Sequence, residues 1–554
     1  MATPSRWSAA DRSAAWQAAE RAELDLVIIG GGITGAGVLR DAASRGLRAV
    51  LLERDDFASG TSGRSSKLVH GGLRYIGEGQ LGTTREACRE RDRLVRLNPS
   101  LVRPYPFLFP AYSDSKVPLW QVRAALGAYA TLANFRRSAR FRMLAPEATL
   151  AWSRDLRATG LQGAGLFWDA HVDDARLVLE TLRSARSLGG IAISQAEVVD
   201  VLAGEGRVVG VRACDAGSGR QIDLRAPVVV NAAGPSVERV QGLRRPGTQR
   251  ELRPAKGVHL VVPRTRLQLE AAVTLEGPDG RSAFAAPWDD VVLVGTTDEF
   301  SDEIDEPIVT IEEVHYLLRA VNHAFPDASL TTNDLTSAYA GVRPLAADAS
   351  QETPSSSVSR EDRIRVEPGF VSVMGGKLTT YRAMAERIVD RSIAQLPRER
   401  RRALTGSRTR TLALRDESFD AAELEAELVG RFELTPGRAT HLVTHYGLAA
   451  PTLLAQARPE WRRSIGGSRF LLAEIPWSFE TECPDSLCDL LERRMRLAIY
   501  AIGQGLPQLA EIAQVAAESA GWDEDRMRAE ARAYAAAVRR RYQIAASPEA
   551  RDAA

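Results

Sequence analysis

The apolar and polar pattern of the chain begins with a short run of branched residues at 24–29. Such a run is typical of a strand buried in a parallel sheet. It is followed by glycines spaced G-x-G-x-x-G, by a helical stretch that stops at Gly46, and by a second apolar run at 49–53. This order predicts a strand, a helix and a second strand that form one parallel unit.

Further segments continue the pattern. Alternation over 196–213, interrupted at Gly204 and Gly206, predicts a hairpin, and the apolar run at 226–231 predicts a buried strand. Strand-like runs at 256–263 and 291–298 predict an antiparallel sheet in the middle of the chain. Residues 369–382 are expected to form a strand, a glycine turn and a helix, which repeats the opening unit.

Helical spacing with many charges marks two stretches and the terminal part. Residues 83–98 are interpreted as a helix with a solvated charged face. Residues 117–142 have apolar residues at helical spacing and several arginines at their end, so a membrane-surface helix and a helix packed on its own domain both stay open. Residues 410–554 are predicted to be all-helical.

Composition narrows the class of protein. The 554 residues are enough for about three or four domains. A formal net charge of +1 argues against general nucleic-acid binding. Four scattered cysteines favour a reducing compartment and predict neither a disulfide framework nor a metal site. We expect no signal peptide and no membrane-spanning helix, because neither apolar pattern is present.

The glycine-rich turn carries the first candidate chemistry. Gly30 would make the tight turn, Gly32 would let a pyrophosphate approach, and Gly35 would let helix and strand pack closely. The helix N-terminus at Ile33 and Thr34 would supply N–H groups to phosphates. Glu53, at the end of the second strand, would accept hydrogen bonds from a ribose. The unit predicts a dinucleotide site, but it does not separate FAD from NAD; the alternative is a turn that uses glycine only for its shape.

Several longer stretches match a known family. They are Ile-Gly-Gly-Gly-Ile-Thr-Gly-Ala-Gly at 29–37, Ser-Ser-Lys-Leu-Val-His-Gly-Gly-Leu-Arg-Tyr at 65–75, Asn-Ala-Ala-Gly-Pro at 231–235, Val-Gly-Thr-Thr-Asp at 294–298, Gly-Val-Arg-Pro-Leu at 341–345 and Gly-Gly-Lys-Leu-Thr-Thr-Tyr-Arg at 375–382. With these residues the chain resembles the FAD-dependent, respiratory glycerol-3-phosphate dehydrogenases. The resemblance covers about residues 24–390 and favours FAD over NAD.

The resemblance implies an α/β fold with a discontinuous, Rossmann-like FAD-binding domain. The expected boundaries are an N-terminal arm at 1–22, the FAD-binding domain at 23–82, 166–250 and 340–398, an antiparallel-sheet substrate domain at 83–165 and 251–339, and an all-helical C-terminal domain at 405–554.

Motifs and resemblance together give a set of expected cofactor-binding residues. They are Gly30, Gly32, Ile33, Thr34, Gly35, Glu53, Arg54, Thr61, Ser62, Ser65, Ser66, Lys67, Leu68, His70, Gly71, Gly72, Val198, Ala233, Gly234, Gly375, Gly376, Lys377, Leu378, Thr379 and Thr380.

The implied reaction is oxidation of the C2 alcohol of sn-glycerol 3-phosphate to dihydroxyacetone phosphate, with hydride transfer to flavin N5. His70 is the candidate general base, because imidazole titrates near neutrality. Arg74 and Arg343 are candidates for binding the phosphate, because guanidinium binds its oxygens in pairs. The remaining catalytic candidates are Tyr75, Lys377 and Thr297. A structural ion pair, turn or helix cap is the alternative for each.

The resemblance also implies an electron acceptor and a location. It implies a membrane quinone and peripheral attachment to the cytoplasmic face of the cell membrane, through 117–142 or the tail arginines at 539–541. A homodimer is left open. Three rival functions remain: a glycerol-3-phosphate oxidase that uses O₂, an amine or amino-acid oxidase of the same fold, and a flavoprotein without enzymatic activity.

Overall fold

The computed structural model describes residues 6–77, 79–133, 140–245, 247, 251–346 and 362–544. In chain order its strands are β1 (Leu26–Ile29), β2 (Ala49–Leu52), β3 (Leu68–Val69), β4 (Arg103–Tyr112), β5 (Phe141–Leu144), β6 (Leu161–His171), β7 (Ile191–Ile193), β8 (Ala196–Gly204), β9 (Arg207–Asp215), β10 (Gln221–Arg225), β11 (Val228–Asn231), β12 (Ala255–Pro263), β13 (Ala272–Glu276), β14 (Ser282–Trp288), β15 (Val291–Gly295), β16 (Glu299–Phe300), β17 (Ser337–Arg343), β18 (Arg363–Glu367) and β19 (Phe370–Met374).

Its α-helices, also in chain order, are α1 (Ala9–Arg21), α2 (Ile33–Ser44), α3 (Arg74–Gly77), α4 (Leu81–Leu97), α5 (Leu119–Leu132), α6 (Pro146–Trp152), α7 (Asp174–Ser187), α8 (Val237–Arg244), α9 (Ile311–Ala324), α10 (Tyr381–Ile393), α11 (Arg398–Arg402), α12 (Ala421–Phe432), α13 (Pro436–Tyr446), α14 (Ala450–Gln456), α15 (Glu474–Thr481), α16 (Leu497–Tyr500), α17 (Leu509–Ala520) and α18 (Glu524–Arg541).

A six-stranded sheet, here called the nucleotide sheet, contains the opening unit. Its order is β18-β19-β11-β1-β2-β7, and every pair is parallel except β18 with β19. Because successive side chains alternate between faces, Leu26 and Ile28 pack against α2, α7 and α10, whereas Val27 and Ile29 pack against the small sheet β10-β9-β8. The predicted parallel unit and the hairpin of β8 and β9 are confirmed.

A second, larger sheet runs β16-β12-β15-β14-β13-β4-β6-β3, with β17 beside β12 and β5 beside β6. It is antiparallel apart from the pairing of β13 with β4, which agrees with the sheet predicted for the middle of the chain. Three strands cross the predicted domain boundaries into this sheet. They are β3, β6 and β17, and each links the expected FAD-binding and substrate segments.

In the terminal part, the named elements among the described residues from 398 to 544 are helices, joined by loops and by one isolated bridge between Ser464 and Leu471. Apart from that bridge, this agrees with the prediction from composition. Its core packs against the larger sheet, where Tyr339 and Leu293 meet Leu490 and Tyr534. A π-helical turn, Asp489–Arg494, lies on the side that faces the nucleotide sheet.

The prediction of a solvated charged face on residues 83–98 is only partly confirmed, because Arg85, Arg89 and Arg96 are exposed but other charged residues are not. In α4, Glu90, Arg91 and Asp92 are buried. Arg91 donates to Asp169 at 2.5 Å and to the hydroxyl of Tyr129 at 2.8 Å, so charge neutralisation inside the protein replaces solvation.

Of the two interpretations of 117–142, the helix packed on its own domain is confirmed for α5. Val122, Leu126 and Tyr129 are buried against β6. Trp120 remains 69% exposed on the opposite face. Arg136 and Arg137, two of the arginines at the end of this stretch, lie outside the described residues. Among the described helices, none is long and apolar enough to cross a membrane.

Candidate active site

A cavity of about 980 Å³ lies between the carboxyl ends of the nucleotide-sheet strands and the larger sheet. Its wall contains the residues that follow β1, β2, β11 and β19, together with residues of β12 and β17. Sites for small molecules and cofactors span roughly 300–1,000 Å³, so this cavity has room for a large ligand. Its position at the strand ends is where open α/β sheets bind nucleotides.

The glycine turn at the start of α2 forms one end of the cavity. A Cβ on Gly30, whose φ is +108°, would lie 2.6 Å from the carbonyl oxygen of Ala232, and a Cβ on Gly35 would lie 1.9 Å from that of Gly30. Neither position therefore accepts a side chain. The N–H of Ile33 at the helix start donates to the hydroxyl of Ser62 at 2.9 Å. The turn opens onto the cavity at the N-terminus of α2, where the helix dipole favours a phosphate, and this fits a dinucleotide.

Glu53 stands at the end of β2 on the wall of the same cavity. Its carboxylate accepts the N–H of Gly31 at 2.6 Å and that of Asp55 at 2.9 Å. Burial raises the pKa of Glu53 to about 7, against the effect of those two N–H donors. A half-ionised acceptor at this point suits ribose hydroxyl groups and would repel a 2′-phosphate.

The residues of the predicted cofactor set that line the cavity come from the motif segments. They are Gly30, Gly32, Ile33, Glu53, Arg54, Thr61, Ser62, Ser65, Ser66, Leu68, His70, Val198, Ala233, Gly234, Gly375, Gly376, Lys377 and Leu378.

The other members of the set lie behind the wall. Thr34, Gly35, Gly71, Gly72 and Thr380 are not in the lining. Thr379 accepts the N–H of His70 at 3.1 Å and so holds the backbone of that residue.

Lys67 differs most from the expectation of a cofactor contact. Its ammonium group is buried and donates to Asp174 at 3.1 Å, so the residue neutralises a carboxylate below the cavity instead of lining it. Burial lowers the pKa of Lys67 to about 8, and the nearby Arg496 acts in the same direction.

Among the catalytic candidates, His70, Tyr75 and Lys377 meet on one side of the cavity. The ammonium of Lys377 lies 3.9 Å from the centre of the Tyr75 ring, and the rings of His70 and Tyr75 are 6.4 Å apart. Arg74 is exposed on α3, with its guanidinium 5.9 Å from the centre of the Tyr75 ring, and it is absent from the lining.

Arg343, at the end of β17, lines the opposite side. Its guanidinium donates to Asp298 at 3.1 Å and to the hydroxyl of Thr296 at 3.0 Å. A Cβ on Gly257 would lie 2.5 Å from the same guanidinium, so only glycine leaves room for it. Thr297 is buried behind this group, where it donates to Glu313 and accepts from Val258, and it does not line the cavity.

Sequence reasoning missed His259. It lines the cavity from β12, its Nε2 lies 2.9 Å from the hydroxyl of Ser66, and its ring stacks on Tyr339. Burial, and then the charges of Arg343 and Lys67, lower the pKa of His259 well below its usual value, so the ring is neutral. A histidine within an apolar strand was the available signal.

A buried network that positions the His70 turn was also missed. The N–H of Gly71 donates to Asp169 at 3.1 Å and to the hydroxyl of Tyr129 at 2.9 Å, and Arg91 binds both of these groups. A Cβ on Gly71 would overlap that hydroxyl. Asp169 of β6 and Tyr129 of α5, both bound by Arg91 of α4, therefore hold the turn that presents His70.

Similarity to known proteins shows the family to which this chain belongs. Residues 25–391, more than half of the chain, match the family described as FAD dependent oxidoreductase. The chain belongs to that family. Residues 400–527 match the C-terminal domain of alpha-glycerophosphate oxidase.

Three relatives are similar over most of their length. Glycerol-3-phosphate dehydrogenase 2 of Mycobacterium tuberculosis is 35% identical over 93% of this chain and 88% of its own. Aerobic glycerol-3-phosphate dehydrogenase of Staphylococcus aureus is 34% identical over 85% of this chain and 86% of its own. The structure of the glycerol-3-phosphate dehydrogenase from Bacillus halodurans complexed with FAD has a TM-score of 0.76 at 30% identity, covering 96% of this chain and 98% of that one. The resemblance seen in the sequence, the fold class and FAD as the cofactor are confirmed.

FAD binding by this FAD-dependent oxidoreductase is expected to strengthen about tenfold between pH 6 and pH 8. The pKa of Glu53 is raised to about 7 in the protein. A ribose hydroxyl binds the ionised carboxylate better than the protonated acid, so below pH 7 Glu53 must lose its proton when FAD binds. The apparent affinity for FAD therefore falls about tenfold for each pH unit below 7. The dissociation constant, measured by flavin fluorescence at several pH values, should level off above pH 7.

Glu53→Gln is the matched control for this pH dependence. The amide cannot ionise, so its FAD affinity should be flat over the same interval. An equally steep curve in this variant would assign the pH dependence to another group.

Proposed function

We propose that this FAD-dependent oxidoreductase oxidises the C2 alcohol of sn-glycerol 3-phosphate to dihydroxyacetone phosphate. The observation that carries the proposal is the guanidinium of Arg343 in the cavity wall, oriented by Asp298 and Thr296. A fixed fork of N–H donors suits a phosphate. The names of the relatives that align over most of the chain support the same substrate.

FAD bound in the cavity would supply the hydride acceptor at flavin N5. The remaining tasks belong to the side chains. Arg343 binds the phosphate, and Lys377 with Tyr75 borders the substrate on the opposite side. A base then takes the proton of the C2 hydroxyl. His70 and His259 both line the cavity, and we assign this step to His259 because Ser66 holds its Nε2 at 2.9 Å and its ring is neutral.

His259→Asn is expected to lower kcat about a hundredfold, within the range typical of a general base. In the unsubstituted enzyme the loss of kcat on the acid side should lie below pH 6.5, because a base works above its pKa and that of His259 is lowered. The measurement is kcat against pH in both proteins. His70→Asn serves as the comparison, and a greater loss there, with His259→Asn near full rate, would make His70 the base.

The substrate is tested by anaerobic mixing of the yellow protein with sn-glycerol 3-phosphate. Rapid loss of the flavin band near roughly 450 nm is the expected result. Glycerol, glycine and D-alanine are the controls, because an amine or amino-acid oxidase of this fold would respond to the latter two. No bleaching by the phosphorylated substrate would remove the proposal.

For the acceptor we propose a membrane quinone, reached from the cytoplasmic face. Although α5 packs on its own domain through one face, its outer face exposes Trp120 and Arg123, and Lys116 is exposed just before the helix. This exposed face is the support for the proposal. The tail is less suited, because Arg540 and Arg541 are paired with Glu306. Peroxide yield per substrate oxidised, with and without a soluble quinone, separates this proposal from an oxidase, since an oxidase forms one peroxide per turnover in air.

A further inference from the structure

The loop at 56–67, here called the cofactor loop, forms one long side of the cavity. Its residues Ser59, Gly60, Thr61, Ser62, Arg64, Ser65 and Ser66 are all in the lining. Ser62 accepts the N–H at the start of α2, and Ser66 lies beside His259. The loop has little regular structure of its own, with only a short 3₁₀ turn at Thr61–Gly63. Something outside the loop must therefore fix its position.

The first anchor is at Asp56, where the loop leaves β2. Arg494 binds this carboxylate with its two terminal guanidinium nitrogens, Nη1 at 2.5 Å and Nη2 at 2.7 Å, and Arg493 binds it as well. All three side chains are buried. Although burial opposes it, Arg494 and Arg493 hold the pKa of Asp56 below its usual value, so the carboxylate is ionised. Both arginines belong to the π-helical turn of the C-terminal domain.

The second anchor is a few residues further along. Arg496 donates to the carbonyl oxygen of Gly63 at 2.8 Å, to Asp174 at 2.8 Å and to Asp173 at 3.0 Å. Asp174 in turn accepts the N–H of Ser65 at 2.8 Å and its hydroxyl at 2.7 Å. Arg496 is only 2% exposed. It holds Gly63 directly and Ser65 by way of Asp174, and the next residue, Ser66, lies beside His259.

The same part of the C-terminal domain also reaches the cavity directly, through Cys488, Asp489, Arg493 and Arg541. We propose that the C-terminal domain is part of the FAD site, with Arg494 and Arg496 as positioning residues that hold the cofactor loop in the conformation that binds FAD. The domain thus sets FAD affinity, and it aligns Ser66 with His259.

The test is Arg496→Met in the full-length holoenzyme. Asp174 keeps Lys67 as a partner, and Asp173, whose side chain is 12% exposed, keeps the N–H of Arg176, so neither carboxylate is left without a donor. Release of FAD on dilution, followed by flavin fluorescence, should show an apparent dissociation constant about tenfold higher, as for a loop that is correctly placed one tenth of the time. Arg496→Lys should recover part of the affinity, because it restores the charge without the fork.

Two further variants complete the test. Arg431→Met removes an arginine of the same domain whose pair with Glu427 is exposed, and it should leave FAD affinity unchanged. Asp173→Asn removes one of the two carboxylates that bind Arg496, and Arg496 keeps Asp174 as its counter-charge. This variant should weaken FAD binding about threefold, and it can be measured even if Arg496→Met does not fold. FAD affinity within twofold of the unsubstituted protein in Asp173→Asn and in soluble Arg496→Met, with only the melting temperature lowered, would overturn the proposal. Neither readout depends on the substrate.

Discussion

Arg343→Ala is expected to lower kcat/KM for sn-glycerol 3-phosphate about a thousandfold, mainly through KM, and to leave FAD bound. Hydrogen bonds to charged groups contribute about 1.5–3 kcal/mol each, so loss of a two-pronged phosphate contact removes about 4 kcal/mol. The guanidinium is already oriented by Asp298 and Thr296, so little ordering is needed on binding. Steady-state kinetics and the flavin spectrum of the purified variant provide the measurement.

Arg343→Lys is the informative companion. The ammonium keeps the charge but cannot bind two oxygens in one plane, so an intermediate loss of about thirtyfold is expected. The assignment to phosphate binding would fail if Arg343→Ala kept a normal KM for the phosphorylated substrate. It would also fail if both variants lost FAD, because the residue would then serve the cofactor.

Gly35→Ala is expected to give a colourless protein. The new Cβ would lie 1.9 Å from the carbonyl oxygen of Gly30, a backbone atom that cannot move without opening the turn. That turn places the N–H groups at the start of α2, so its displacement removes the phosphate site. The ratio of flavin absorbance to protein absorbance after purification is the measurement, together with an attempt to restore colour with added FAD.

Gly242→Ala provides the matched glycine control. Gly242 lies in α8, and a Cβ there would meet nothing within 4 Å. Alanine favours a helix over glycine by about 1 kcal/mol, so this variant should keep its flavin and be slightly more stable. A yellow Gly35→Ala with normal FAD affinity would show that the turn does not hold the phosphates.

Local patterns predicted the nucleotide-binding part well. Branched apolar runs mark β1 and β2, and the glycines fix the turn between β1 and α2. These features depend on neighbours within a few residues, which the sequence displays directly. The same holds for the helical composition of the terminal part.

Charged residues were harder to place. Charges on α4 resemble those of a surface helix, yet Arg91 is buried because Asp169 and Tyr129 neutralise it from distant parts of the chain. Lys67 sits within a motif dense in cavity residues, yet its own side chain turns to Asp174. A one-dimensional pattern shows that a charge is present, but its burial depends on a partner that only the fold supplies.

The sequence by itself therefore determined the nucleotide unit, the likeness to a family and part of the cavity wall, because these follow from local periodicity and from continuous motifs. Three features were decided by the tertiary structure alone. These are the strands that join the larger sheet, the position of His259 beside Ser66, and the binding of the cofactor loop by arginines of the C-terminal domain. The physical reason is that strand pairing and buried ion pairs join residues far apart in the chain, and neither leaves a periodic signal along it.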